Sequence, residues 1–243
     1  MIMKTLNQYI QEKLIINKDY RDVNMLTPKS FDELRKIIED RYNKLGPGTK
    51  QNPIDFNDID VSNLDSFCND KGKGIFAETK FKYIDISDWD VSSVTDMSYM
   101  FAYCEELKSV GDISYWNVSS VTNMFCMFFM CKELKSVGDI SYWDVSNVTN
   151  MAYMFTGCAN LNQDISRWSV SLVTNMSYMF CNCENFNQNI SSWDVSKVTD
   201  MCSMFYRCES FNQDLSKWKV SKVRWHSYMF GGCPIKKEYK PKF

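Results

Sequence analysis

The sequence predicts an α/β solenoid, with one short parallel strand and one short helix per repeat behind a helical N-terminal cap. Three observations predict it. Trp recurs at Trp89, Trp116, Trp143, Trp168, Trp193 and Trp218. A Met-Phe pair recurs at 100/101, 127/128, 154/155, 179/180, 204/205 and 229/230. Cys follows each of those Phe residues by three positions, at 104, 131, 158, 183, 208 and 233. From Trp89 to Trp143 the step is 27 residues, and from there it is 25. Units that repeat at such a period cannot bury their apolar faces alone, so they stack on their neighbours.

The fourth copy shows how each element is justified. Ile165, Trp168, Val170 and Val173 have the spacing of the strand half of a leucine-rich repeat. Trp168 and Val170 alternate with polar neighbours, which predicts a short strand with both on one face. From Met176 the apolar positions are Met176, Met179, Phe180 and Cys183, the stripe of a short helix. Thr174 or Asn175 stands where an N-cap is needed. Asn187, Gln188 and Asn189 return the chain to the next unit. The first two copies carry two extra residues here, LKSVGD against LNQD or FNQD, and insertions that spare the other spacings belong in loops.

Ahead of the repeats, residues 3–14 predict an amphipathic helix with Leu6, Tyr9, Ile10 and Leu14 on one face. Residues 15–25 read as a linker. A second helix is expected over Pro28–Leu45, opened by a Ser30/Glu33 capping box and stopped by Gly46 and Pro47. It is placed to cover the first repeat's exposed core. Residues 59–81 read as a degenerate repeat in which Val61–Phe67 aligns with Val91–Met97. The expected divisions are thus 1–25, a capping helix over 26–50, repeats over 51–233 (51–81 degenerate, 82–233 the six full copies) and a tail over 234–243. The lysine-rich tail is expected to be a solvated surface or an end cap.

The pattern W-D-V-S-x-V-T-[DN]-M-x-x-M-F-x-x-C, from about Ile59 to Cys233, closely resembles the BspA-like leucine-rich repeat family of bacterial surface proteins. The resemblance implies a right-handed leucine-rich-repeat solenoid of about seven units and a role in adhesion or interaction. The N-terminal stretch M-K-T-x-x-x-[YF]-I-x-E resembles the capsid-targeting peptides of internal proteins of tailed bacteriophages, which implies a virion-associated alternative.

Composition bounds the chemistry. The 243 residues are 44% hydrophobic and 24% charged, with a net charge of −2, which argues against nucleic acid or an anionic membrane as partner. No apolar run reaches transmembrane length, and the N-terminus lacks a secretory signal pattern, so the expected location is cytoplasmic or virion-associated. Six of the ten cysteines share the buried stripe, which predicts reduced, buried thiols. Cys68, Cys126, Cys181 and Cys202 lack paired zinc-ligand spacing. The single histidine, His226, stands where other copies have Met and reads as a core or end-cap residue. No nucleophile elbow, P-loop or glycine-rich fingerprint is present, so neither catalysis nor a metal or cofactor is expected.

Function is expected on the positions flanking each Trp: Asp88 and Asp90, Tyr115 and Asn117, Tyr142 and Asp144, Arg167, Asp194, Lys217 and Lys219. They vary while the core positions do not, and they run from acidic through aromatic to basic along a concave strand face. The expected partner is a protein or a glycan. A second candidate surface is the apolar outer side of the second copy, Phe125, Phe129 and Met130, facing either the N-terminal helices or a partner.

Overall fold

The computed structural model describes residues 25–243, so the expected helix over 3–14 lies outside the described residues. Helix α1 spans Phe31–Leu45. Ser30 caps it by accepting the Glu33 N–H at 3.2 Å, while the Glu33 carboxylate reaches the Lys29 N–H rather than that of Ser30. Its end is set by Gly46, in the left-handed region, whose N–H returns to the Tyr42 carbonyl. Leu34 and Ile38 are fully buried, and Tyr42 packs edge-on against Phe81 with centroids 5.0 Å apart.

Strand β1 (Ile54–Asp55) pairs in parallel with β2 (Ile84–Asp85). Beyond them, one parallel ladder of single bridges links Ser66, Asp96, Asn123, Asn150, Asn175, Asp200 and Trp225. Each rung advances by one repeat, so successive copies hydrogen-bond in register. The Trp, Met-Phe and Cys positions point inward. Every ladder Trp is 3–5% exposed, and every Met-Phe pair up to Phe205 is almost completely buried. Phe rings stack copy on copy, from Phe76–Phe101 at 5.3 Å to Phe205–Phe230 at 5.7 Å.

The local structure of each copy differs from the expectation. No helix forms after Met97, Met124, Met151, Met176, Met201 or His226; these segments are consecutive turns. In the first copy the N–H groups of Met97, Tyr99, Phe101 and Tyr103 donate to the next copy, at Asn123, Phe125, Met127 and Phe129. The intervening N–H groups of Met100, Ala102 and Cys104 close turns onto residues three back. Tyr99 and Tyr103 take positive φ (57° and 61°), as the third position of such turns requires, and an α-helix excludes it. The same two positions are left-handed in every copy, whether Tyr, Cys, Met, Ser, Asn, Arg or Gly. Paired turns and a helix turn the same side chains inward, which is why the i, i+3, i+4 spacing does not distinguish them.

The strand expected at Trp–x–Val is also absent. Turns occupy it instead, closed by bonds such as Trp89 N–H to Ile86 and Val94 N–H to Val91. Extended pairing moves to Thr-[Asp/Asn]-Met. The segment after Ser66 joins the ladder, since Phe67, Phe76 and Glu78 N–H groups donate to Asp96, Met100 and Ala102. At the other end the 234–243 tail folds back rather than extending into solvent. Ile235 and Pro241 are buried and Tyr239 accepts from the Leu215 N–H.

Candidate functional site

Three Asx turns recur in most copies and fix the path of the outer surface. In the first copy Asp85, Asp90 and Asp96 accept the N–H groups of Ser87, Ser92 and Ser98 at 2.7–3.0 Å. The same bonds return in the second copy from Asp112, Asn117 and Asn123, and in the third from Asp139, Asp144 and Asn150. An Asp or Asn side chain mimics a backbone turn by capping the N–H two residues on. The acidic residues of D-I-S, D-V-S and [DN]-M-S are therefore builders of the coil. Sequence reading missed this, although the thrice-repeated D-x-S was the signal.

That finding divides the residues expected to bind. Asp90, Asn117, Asp144 and Asp194, one place after each Trp, are committed to Asx turns with Ser92, Ser119, Ser146 and Ser196. The Ser146 and Ser196 bonds hold the Asp144 and Asp194 carboxyls below the usual carboxylate range. One place before each ladder Trp stand Asp88, Tyr115, Tyr142, Arg167, Ser192 and Lys217, all exposed, as is Lys219 after the last Trp. Asp88 donates its N–H to Asn57 at 2.9 Å. Tyr115 and Tyr142 are 70% and 69% exposed at equivalent positions of adjacent copies. The Arg167 guanidinium lies over the Tyr142 ring, 4.7 Å from its centroid. These residues ride on turns rather than on strands.

Phe125, Phe129 and Met130 are half-buried, and the N-terminal helix over 3–14 that they were expected to face lies outside the described residues. Phe125 packs edge-on between Tyr99 (5.1 Å) and Tyr153 (5.7 Å), and Phe129 sits 5.0 Å from Tyr103. Tyr153 then stacks on Tyr178 at 4.6 Å. Gly157 leaves room for Met130, because a Cβ there would come 2.6 Å from its sulfur. This surface is an outer aromatic ladder that ties adjacent copies together.

The inner polar groups are satisfied between copies. Each ladder Trp donates its indole N–H to a carbonyl one copy back, as Trp143 does to Ile113 at 3.1 Å and Trp168 to Ile140 at 2.8 Å. Each buried ladder Cys points its sulfur at a Phe carbonyl one copy back, at 2.8–3.1 Å from Cys104 to Cys208. Burial pushes the Cys104 thiol up to about 11 and that of Cys158 up to about 12. All ten cysteines are free. His226 is exposed, not a core residue, and the Phe243 ring stacks on it at 4.0 Å. Among the described residues no group of three or more metal-ligating side chains gathers, and no helix is long and apolar enough to cross a membrane.

A capping device that sequence reading missed lies at the N-terminal side. Arg35 Nη1 donates to the carbonyls of Gly74, Ile75 and Ala77 at 3.2, 2.8 and 3.0 Å.

In-register copies with a constant interior and a variable exposed row define a repeat-type protein. The chain belongs to the family described as Mycoplasma protein of unknown function, DUF285, whose model matches residues 49–140, 70–171 and 129–241 in three overlapping passes. No match is found among curated proteins or among solved structures.

Proposed function

We propose that this chain is a solenoid scaffold of the BspA-like adhesion type, non-enzymatic, which holds a protein or glycan partner across Tyr115, Tyr142 and Arg167. The observation that carries this reading is the pair of exposed tyrosines on adjacent copies with Arg167 set over the second. Tyr and Arg dominate binding hot spots because they offer large area and directed hydrogen bonds at modest entropy cost. The row is flanked by Asp88 on one side and by Lys217 and Lys219 on the other, which fixes the orientation of a charged partner. A family described from Mycoplasma favours this reading over the virion-associated one, whose motif lies in residues 3–14.

The test is a glycan array together with a panel of immobilised host surface proteins, probed with wild type and with Tyr142→Ala/Arg167→Ala. Wild-type binding to a member of either panel, lost in the double variant while the melting temperature holds, supports the site. Binding that survives in the double variant but is lost in Phe125→Ser/Phe129→Ser moves the site to the outer aromatic ladder.

A further inference from the structure

The backbone of this array is polar along its axis. In each copy alternate N–H groups of the Met-Phe segment point toward the following copy, as those of Met201, Ser203, Phe205 and Arg207 do at 2.7–2.9 Å. The carbonyls of the same residues turn inward instead. In the sixth copy His226, Tyr228 and Phe230 carbonyls are taken by the N–H groups of Met229, Gly231 and Cys233. In the sixth copy the N–H groups of His226, Tyr228, Phe230 and Gly232 meet no acceptor among the described residues, although the tail reaches this edge with the Phe243 ring on His226 and Lys240 over Phe230. This edge offers donors and no matching acceptors.

Two occupants are disfavoured by that polarity. A second copy docked edge to edge would set donors against donors. A second copy docked head to tail would need the acceptor edge at the other end, and Arg35 already occupies the Ile75 and Ala77 carbonyls there. The side chains at the open edge also depart from the repeat. Trp225 and His226 stand where other copies have Asp or Asn followed by Met. Trp225 is 54% and Tyr228 76% exposed. From Lys222 to Phe243 six Lys and Arg residues stand against one acidic residue, Glu238. Arg224 precedes the edge, and Lys240 lies 5.4 Å from the Phe230 ring centroid.

We propose that the sixth copy's edge is a second interaction surface, which adds an acidic, extended peptide segment of a partner as one further rung. A peptide backbone supplies carbonyls at alternate residues, as each copy does for the one before it, and backbone pairing at an open edge is an established mode of peptide capture. Asp or Glu side chains of the segment meet Arg224 and the neighbouring lysines, and Trp225 and Tyr228 cover its apolar stem. This surface is distinct from the Tyr115–Tyr142–Arg167 row.

Amide hydrogen exchange of the full chain tests it, with a capped peptide of alternating Glu and Thr about ten residues long as probe. The expected result is slowing of the Tyr228, Phe230 and Gly232 amides by about tenfold or more at saturation, unchanged in Tyr142→Ala/Arg167→Ala. Arg224→Glu/Trp225→Ser should lose the slowing while the fourth-copy amides exchange as in wild type, which separates loss of binding from loss of fold. The proposal is overturned by no slowing, or by equal slowing with Lys in place of Glu. Stronger protection by a single-stranded RNA would overturn it too, as would protein-concentration-dependent protection without peptide, the mark of a second copy.

Discussion

The Arg35 guanidinium sits 2.8 Å from the Ile75 carbonyl and 3.0 Å from that of Ala77. The equivalent carbonyls one copy on, Met100 and Ala102, accept from the Phe76 and Glu78 N–H groups. Arg35 thus supplies the donors that a preceding copy would have supplied. α1 covers the apolar end of the stack with Leu34 and Ile38 and its polar edge with one side chain. Replacing Arg35 by Met leaves buried acceptors unmade, at about 1–3 kcal/mol each, and the loss should appear as a lower urea midpoint. Glu39→Gln removes only the exposed partner in the Arg35–Glu39 pair and should cost under about 0.5 kcal/mol. Equal effects from the two variants would refute the capping role.

The indole ladder gives a positional stability series. Trp143 stacks between Trp116 and Trp168 at 6.3 and 6.4 Å and donates to Ile113. Trp143→Ala should cost about 3–5 kcal/mol through transfer and cavity terms. Trp218→Ala should cost less, because no seventh Trp stacks beyond it in the ladder. Urea unfolding of both variants decides it, and matched losses would argue against nearest-neighbour stacking.

Acid should loosen the outer turns. Hydrogen bonds from Ser141, Ser146, Ser196 and Ser216 hold the Asp139, Asp144, Asp194 and Asp214 carboxyls below their usual range. A carboxyl with a depressed folded pKa adds stability above its unfolded pKa, about 3.9, and that stability is lost as pH falls through the folded value. The melting temperature should therefore fall as pH drops below about 4. Asp144→Asn should keep the turn, since Asn117 accepts from Ser119 in the same position, while flattening part of that drop. An unchanged pH profile in a combined Asp→Asn variant at all four positions would refute the assignment.

Thiol accessibility should follow the copies' interior. Alkylation requires the thiolate, and burial raises the Cys104, Cys131, Cys158 and Cys183 thiols well above their ordinary values. Native labelling near pH 8 should reach only the half-buried Cys68, Cys202 and Cys233, and denaturation should expose all ten. Mass spectrometry that finds Cys131 or Cys158 labelled in the native protein would contradict this packing.

The sequence by itself determined the period, the inward set and the cap. Trp, Met-Phe and Cys recur because each copy must bury the same side chains against its neighbours, and α1 announced itself through Ser30, its apolar face and Gly46. The sequence also placed Tyr115, Tyr142 and Arg167 on the exposed row, since they break a pattern whose other members are fixed by packing. Only the tertiary structure decided how the backbone meets those demands. A helix satisfies its N–H groups within itself, whereas these segments send alternate N–H groups to the next copy, at Phe125, Met127 and Phe129 for the first. That bond needs a neighbour at hydrogen-bonding distance, and no one-dimensional pattern records it. The left-handed residues at Tyr99 and Tyr103, the binding of Ile75 and Ala77 by Arg35, and the unmatched donors of Tyr228 and Phe230 all follow from that choice. Each depends on what lies one copy away, some 25 residues along the chain, rather than on its own neighbours in sequence.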